Sequence, residues 1–166
     1  MNNRTTSGNP LKRLSLTNPV HLLALGFGSG LIHPAPGTWG SLAGTFIGVA
    51  LLMLLGMKSF LILTVLCFVL GCYLCQKTAN DMGVHDHGSI VWDEFVGMFI
   101  VLAAVPNLSW QWVLTAFVLF RFFDILKPFP IRYFDEKLES GFGIMLDDVL
   151  AAVYALFVVF IVRIWI

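Results

Sequence analysis

The chain has 166 residues, of which 58% are hydrophobic and 12% are charged, and its formal net charge at pH 7 is zero. Because soluble domains carry about 25% charged residues, the composition excludes an ordinary soluble protein, and the zero net charge excludes a global basic field for nucleic acid. Apolar runs recur along the whole sequence. This pattern predicts an all-α, polytopic helical membrane protein of one domain, since the strands of a membrane β-barrel would be short and alternating.

The N-terminal part divides into a polar tail and a short apolar segment. Residues 1–18 contain basic side chains but lack the continuous hydrophobic core of a signal peptide. Residues 19–32 are apolar, yet glycines interrupt them and they are shorter than the roughly 20 residues that a spanning helix needs. We predict a short interfacial or re-entrant helix there, then a proline-rich turn in which Thr38 or Ser41 caps the next helix. Residues 19–166 are assigned to a single membrane-embedded domain.

Five longer apolar segments predict about five membrane-embedded helices, separated by turns rich in glycine, proline and polar residues. One short amphipathic cytoplasmic helix is predicted over residues 131–140, with Gly141 stopping it. Its charged residues, Asp135 among them, are expected to face water without forming part of a site. The five predicted spans are residues 41–57, 59–75, 90–105, 110–126 and 144–166.

The order of these spans brings acidic residues from distant parts of the sequence to one membrane face. Tight turns join the first span to the second and the third to the fourth. The third span therefore starts, the fourth ends and the fifth starts at the face where the first span began. The acids at these three helix ends are Asp93, Glu94, Asp124, Asp147 and Asp148.

The distribution of lysine and arginine orients the molecule. Lys58 and Arg163 are predicted on the face opposite the acids, and the other eight basic residues on the same face as the acids. The positive-inside rule makes the acidic face cytoplasmic. The eight residues are Arg4, Lys12, Arg13, Lys77, Arg121, Lys127, Arg132 and Lys137.

The five converging carboxylates predict a divalent metal site. Carboxylates at one depth repel one another unless a cation neutralises them, and oxygen ligands without a histidine–cysteine set favour a hard ion such as Mg²⁺. The alternative is that each acid stabilises the N-terminal turn of a helix through its dipole. That alternative fails for Asp124, which is predicted at the C-terminal end of its helix.

Two basic residues flank Asp124 at a spacing that suits phosphate binding. Arg121, Asp124 and Lys127 follow an i, i+3, i+6 pattern, which puts them on one helix face. The alternative is an intrahelical salt bridge with a snorkelling arginine. The turn from Thr38 to Ser41 offers hydroxyls and free backbone N–H groups as a second anion contact, or it is only an interfacial turn.

Two other features favour structural interpretations. His85 and His87 flank Asp86 in a polar loop, and alternate residues of an extended chain point to opposite sides, so a solvated loop is favoured over a metal site. Cys72 and Cys75 form a C-x-x-C pattern inside an apolar helix, where small buried side chains are expected.

Four motifs in order resemble those of the phosphatidylglycerophosphatase A family: GFGSGLIHPAPGTWGS, DHGSIVWDEFVG, FRFFDILKPFP and GFGIMLDDVLAAVYA. The resemblance extends from about residue 27 to residue 155. It implies a magnesium-dependent phosphatase of the bacterial inner membrane that faces the cytoplasm. Its substrate would be phosphatidylglycerophosphate in the cytoplasmic leaflet, which loses its terminal phosphate to leave phosphatidylglycerol. The resemblance also adds Asp86 to the candidate metal ligands.

The residues favour metal-assisted hydrolysis. The sequence lacks a cysteine followed six residues later by arginine, and it lacks a D-x-D pair. Asp124 is predicted as a ligand or as the base that accepts a proton from water, although attack by an aspartate to form an aspartyl-phosphate is also open. A divalent-cation transporter and a non-catalytic membrane scaffold are the rival functions. The predicted metal ligands are Asp86, Asp93, Glu94, Asp147 and Asp148, with Arg121, Lys127, Thr38 and Ser41 binding phosphate.

Overall fold

The computed structural model describes residues 9–165, and every regular element in this part of the chain is helical, which confirms the predicted class. Arg4 and the rest of residues 1–8 of the predicted tail lie outside the described residues, as does Ile166. The α-helices are α1 (Pro19–Ala24), α2 (Pro36–Met82), α3 (Trp92–Leu102), α4 (Trp110–Leu126), α5 (Ile131–Lys137) and α6 (Gly141–Trp165), with short 3-10 helices at Pro10–Arg13 and Gly26–Leu31.

Helix α2 is a hairpin of two arms joined at Gly56. The backbone of Gly56 has φ 71° and ψ 166°, a conformation outside the helical region that glycine adopts readily. Successive residues of the first arm, 36–55, contact α3 from its beginning to its end, whereas the second arm, 57–82, contacts α3 in the reverse order. The predicted turn between the first two spans is therefore confirmed as a reversal of direction.

Helix α3 is the centre of the fold, and all of its residues except Ile100 are buried. The first arm of α2 approaches α3 through Gly40, Gly44 and Gly48, each of which has no room for a side chain on the side facing α3. The second arm adds a tilted aromatic contact between Phe60 and Phe99, whose ring centroids are 5.4 Å apart. Small residues on α2 therefore let α3 pack closely against it.

Helices α4 and α6 complete the packing around α3. Gly97 of α3 lies against the ring of Phe120 near the end of α4 and against the carbonyl of Asp148 near the start of α6. The end of α4 and the start of α6 thus lie beside the start of α3. This arrangement is the one that the order of the predicted spans requires for the acids to converge.

The outer surface is apolar, as a membrane protein requires. Leu54 and Ile62 on α2 and Phe157 and Ile164 on α6 are at least 64% exposed, and exposed apolar surface on this scale marks a membrane or protein interface. Two helices, α2 and α6, are long and apolar enough to cross a membrane. The bounds predicted for the fourth span match α4, whereas α3 is shorter than the predicted 90–105.

Several predicted boundaries are wrong. The second span continues to Met82 rather than ending at residue 75, and α5 ends at Lys137 rather than at residue 140. Helix α2 begins at Pro36 rather than at residue 41, with Ala35 as its N-cap, so neither Thr38 nor Ser41 caps it. Gly141 does not stop a helix but opens α6, because its N–H donates to Oε1 of Gln76 at 2.7 Å and a side chain there would collide with the carbonyl of Cys72.

The segment before α2 packs against the start of α3 without forming a long helix. Residues 19–32 form α1 and the 3-10 helix Gly26–Leu31, and the N–H of Val91 donates to the carbonyl of Ala24 at 2.9 Å. His21 Nε2 lies 2.9 Å from Asp81 Oδ2 at the end of α2. These contacts hold the N-terminal segment at the end of the bundle where the acids lie.

The close packing at Gly40 predicts a clear stability effect. A methyl group at Gly40 would lie 2.5 Å from Cβ of Val91 and 2.6 Å from Oε2 of Glu94, so Gly40→Ala is expected to destabilise the protein by about 1–3 kcal/mol, the usual cost of overpacking. Thermal unfolding in detergent measures this. Gly88→Ala is the control, since the nearest atom to its methyl group is Cγ of Pro36 at 3.9 Å. Equal melting temperatures for the two variants would contradict the packing described here.

Candidate metal and phosphate site

Three buried aspartates lie together where α3 and α6 begin. Asp93 belongs to the first turn of α3, and Asp147 and Asp148 belong to the second turn of α6. Each contributes one carboxylate oxygen to a group in which all three oxygens lie within 4.8 Å of one another. We call Asp93, Asp147 and Asp148 the acid trio.

The acid trio has the chemistry of a hard-cation site. Asp93 Oδ1 and Asp148 Oδ2 are buried and have no hydrogen-bond partner within residues 9–165, and a buried carboxylate oxygen without a partner is costly. The donors that converge here are all carboxylate oxygens, the ligands that Mg²⁺ and Ca²⁺ prefer. These residues therefore fit a divalent cation.

Arg121 organises the acids beside the trio. Its Nη1 lies 3.4 Å from Oε1 of Glu94 and is hydrogen-bonded to Oδ2 of Asp124, one helical turn along α4. Nη1 also lies 3.3 Å from the hydroxyl of Ser41, and that hydroxyl is 3.1 Å from Oε2 of Glu94. Buried Nε of Arg121 has no partner among the described residues. One guanidinium thus links α2, α3 and α4 and retains an unused donor.

Lys127 supplies the second cation. It follows α4 in a left-handed conformation with φ 42°, and its Nζ lies 2.6 Å from Oδ2 of Asp147 and 2.9 Å from Oδ1 of Asp135. Burial lowers the pKa of Lys127, but the ion pairs with Asp147 and Asp135 outweigh that effect and raise it above its usual value. The amine is therefore positively charged at neutral pH.

The glycines of the first turns of α2 let Glu94 approach that helix. A side chain on Gly37 or Gly40 would collide with the carboxylate of Glu94. Sequence reasoning assigned no site role to these two glycines. Their spacing of three residues, which places both on one helix face, was the signal that could have identified them.

The predicted site residues fall into three groups. Asp93, Asp147 and Asp148 form the trio. Lys127 contacts the trio through Asp147, and Arg121 joins Glu94, Asp124 and Ser41 in a network next to it. Thr38 is half-buried in the first turn of α2, and Asp86 is exposed in the loop after α2, outside the trio. Asp135, expected to be solvated, instead pairs with Lys127. The chemical roles assigned to these residues remain predictions.

The architecture defines a helical membrane protein whose buried carboxylates and two cations meet at one end of the bundle. Residues 22–163 match the model of the family described as Phosphatidylglycerophosphatase A. The chain is 79% identical over 160 residues to Phosphatidylglycerophosphatase A of Haemophilus influenzae, an alignment that covers 96% of this chain and 98% of that protein. It is 53% identical over 141 residues to Phosphatidylglycerophosphatase A of Escherichia coli, covering 85% of this chain and 81% of that protein. No solved structure matches.

The chain therefore belongs to the phosphatidylglycerophosphatase A family. The resemblance noted from the four motifs is confirmed. The acid trio with Arg121 and Lys127 is therefore the candidate active site of a lipid phosphatase.

Proposed function

We propose that this chain is a magnesium-dependent phosphatase of the bacterial inner membrane that hydrolyses the terminal phosphate of phosphatidylglycerophosphate. The products are phosphatidylglycerol and inorganic phosphate. The observation that carries the proposal is the acid trio beside Arg121 and Lys127 in a chain of this family; two of the trio's buried oxygens lack partners in the described part of the chain.

The acid trio would hold the metal, and Glu94 and Asp86, the other two predicted ligands, would act on it from outside the trio. When bound, Mg²⁺ supplies Lewis-acid stabilisation of negative charge on the phosphate oxygens. The buried position of the trio excludes bulk water, which strengthens electrostatic interactions with a phosphate at this point.

The remaining polar residues bind the substrate and move the proton. Arg121 and Lys127 bind the phosphate through charge-assisted hydrogen bonds, and the unused Nε of Arg121 is a donor for it. Ser41 and Thr38 add contacts from the first turns of α2. Asp124, which Arg121 holds in place, accepts the proton of the attacking water.

The proposed topology has five membrane-embedded helices: the two arms of α2, then α3, α4 and α6. The eleven residues of α3 rise about 16 Å at ~1.5 Å per residue, about half of the ~30 Å hydrocarbon thickness. The acids then lie at or just below the cytoplasmic headgroups, where a lipid phosphate reaches them without leaving the bilayer. A transport path would instead spread acids through the membrane.

Removal of magnesium tests this function directly. Purified protein in detergent micelles with phosphatidylglycerophosphate is expected to release inorganic phosphate with Mg²⁺, and EDTA is expected to abolish the release until excess Mg²⁺ is added back. Colorimetric phosphate determination measures both. Full release in EDTA would refute the metal dependence, and no release with Mg²⁺ would refute the phosphatase.

Lys127→Ala tests the assignment of the phosphate-binding cations. We expect KM for the lipid to rise about tenfold or more, because a charge-assisted hydrogen bond contributes about 1.5–3 kcal/mol, with a smaller change in kcat. Initial rates over a range of lipid mole fractions measure both constants. Lys137→Ala is the matched control, since Lys137 is an exposed lysine on α5. An unchanged KM in Lys127→Ala would remove Lys127 from the phosphate site.

A further inference from the structure

An apolar groove of about 370 Å³ runs between the first arm of α2 and α4. Leu108, which precedes α4, and Trp110, its first residue, lie at the end of the groove away from the acids. The groove has one hydroxyl, that of Thr45, which is buried and donates to the carbonyl of Ser41 at 2.7 Å. The walls are lined by Leu42, Phe46, Val49, Val113, Leu114 and Phe117.

The glycines of α2 explain which side of the helix lines the groove. Gly40, Gly44 and Gly48 occupy the face against α3. The large side chains of Leu42 and Phe46 therefore lie on other faces of the same arm, on the side toward α4. The result is the apolar groove between the first arm of α2 and α4, both of which pack against α3.

The groove begins where the polar site ends. Nη1 of Arg121 on α4 and the hydroxyl of Ser41 on α2 are 3.3 Å apart. This contact joins the two helices at the ends that lie near the acids. Leu42 directly follows Ser41 in the sequence, and Phe117 lies one helical turn before Arg121. For a molecule whose phosphate is bound at Arg121, the apolar groove therefore leads away from that phosphate.

The length of the groove matches one leaflet. From Ser41 to Val49 the helix rises about 12 Å, and from Arg121 back to Trp110 about 16 Å, at ~1.5 Å per residue. Half of the ~30 Å hydrocarbon thickness is about 15 Å. The groove therefore extends from the headgroup level to about the bilayer midplane.

We propose that the groove binds one acyl chain of the phospholipid substrate while the phosphate is at Arg121 and Lys127. This inference rests on the proposed function. Ordinary bilayer lipid also touches this surface, but a lipid whose headgroup ends in a phosphomonoester also offers Arg121 and Lys127 a terminal phosphate, which phosphatidylglycerol and phosphatidylethanolamine lack. Since lipid tails are as apolar as the groove, the gain comes from packing and from positioning the phosphate rather than from leaving water.

Photolabelling distinguishes binding of the substrate's acyl chain from contact with ordinary lipid, and it does not require turnover. The full chain in vesicles of phosphatidylglycerol and phosphatidylethanolamine with EDTA receives a trace of phosphatidylglycerophosphate that carries a mid-chain diazirine. A second sample receives phosphatidylcholine with the same diazirine chain. We expect mass spectrometry to find several-fold more adducts in residues 42–49 and 108–117 with the phosphomonoester lipid, and equal labelling of the outer face around Val69. Equal labelling of the groove by both lipids would show that it contacts bilayer lipid without selecting the substrate, and this would overturn the proposal. The test does not depend on whether the protein has phosphatase activity.

Groove-filling variants give a second, functional test. Val113→Trp, and Leu114→Trp as a less buried alternative, are expected to lower kcat/KM for a substrate with long chains about tenfold. The rate with the deacylated headgroup, glycerophosphoglycerophosphate, should not fall. Val69→Trp is the matched control, because Val69 is 63% exposed on the second arm of α2, outside the groove. Equal kcat/KM for Val113→Trp, Leu114→Trp and Val69→Trp in folded protein would reject the groove as an acyl-chain site.

Discussion

Asp148→Asn is expected to lower kcat at least about 10²-fold, the loss that a single electrostatic group in an active site produces, without loss of folded protein. Asp148 is 2% exposed and its Oδ2 has no hydrogen-bond partner, so its carboxylate charge has no structural use among the described residues. The amide keeps the shape of the side chain but is a poor ligand for a hard cation. Neutralising one of three crowded acids also relieves repulsion. Steady-state phosphate release measures the effect on turnover.

Thermal unfolding with and without Mg²⁺ shows whether the loss arises at the metal site. A ligand that binds the folded state raises the melting temperature, so the wild type should melt higher in Mg²⁺, and Asp148→Asn should lose that increase while melting no lower than the wild type in EDTA. Glu136→Gln is the control, because Glu136 pairs with Arg132 at the exposed surface of α5. An Asp148→Asn variant that keeps full turnover and the Mg²⁺-dependent shift would refute the assignment of the acid trio.

Arg121→Gln is expected to lose both stability and activity. The guanidinium is 14% exposed and neutralises two acids, Glu94 and Asp124, that are 10% and 13% exposed. Breaking a buried ion pair costs about 3–5 kcal/mol, because the remaining charge has no compensation. Melting temperature and phosphate release in the same preparation measure the two losses.

A double variant separates the structural role of Arg121 from its catalytic role. Adding Glu94→Gln to Arg121→Gln removes one of the uncompensated charges, so part of the stability should return while activity stays low. Arg132→Gln is the matched control, since its pair with Glu136 is exposed and surface pairs contribute about 0–1 kcal/mol. Full recovery of activity in the double variant would show that Arg121 does not bind the phosphate.

The convergence of the acids could be predicted from the sequence because long uncharged segments mark the membrane-embedded helices. Asp93, Asp124 and Asp148 each border a long apolar run. Counting the reversals between these runs is enough to place the three acids at the same end of the molecule. The bounds of α4 were predicted for a related reason, since Pro106 and Ser109 precede it and Pro128 follows it.

The contacts within the site could not be predicted, because they depend on how helices rotate and fold back. Asp135 has the pattern of a solvated helix residue, yet it pairs with Lys127 where α5 packs against α6. Glu94 neighbours Asp93 in sequence, yet successive helix residues point in different directions, so Glu94 turns toward Arg121 and Ser41 instead of joining the trio.

The errors at the starts of α2 and α6 come from how Pro36 and Gly141 were interpreted. Pro36 was interpreted as part of an extended turn, although proline is favoured in the first turn of a helix, where α2 places it. Gly141 was interpreted as a helix stop because glycine is common there. The close approach of Gly141 to Cys72 involves residues far apart in the sequence, which no local pattern reveals.

Because its neighbours enclose α3, membrane thickness affects α3 and α6 differently. Lipid has almost no access to α3, so hydrophobic mismatch cannot act on it, and the height of Asp93 is fixed by protein contacts alone. Helix α6, which carries Asp147 and Asp148, has one side exposed, so we expect its tilt to respond to membrane thickness. We therefore expect the distance between Asp93 and the two aspartates of α6 to depend on the thickness of the host membrane.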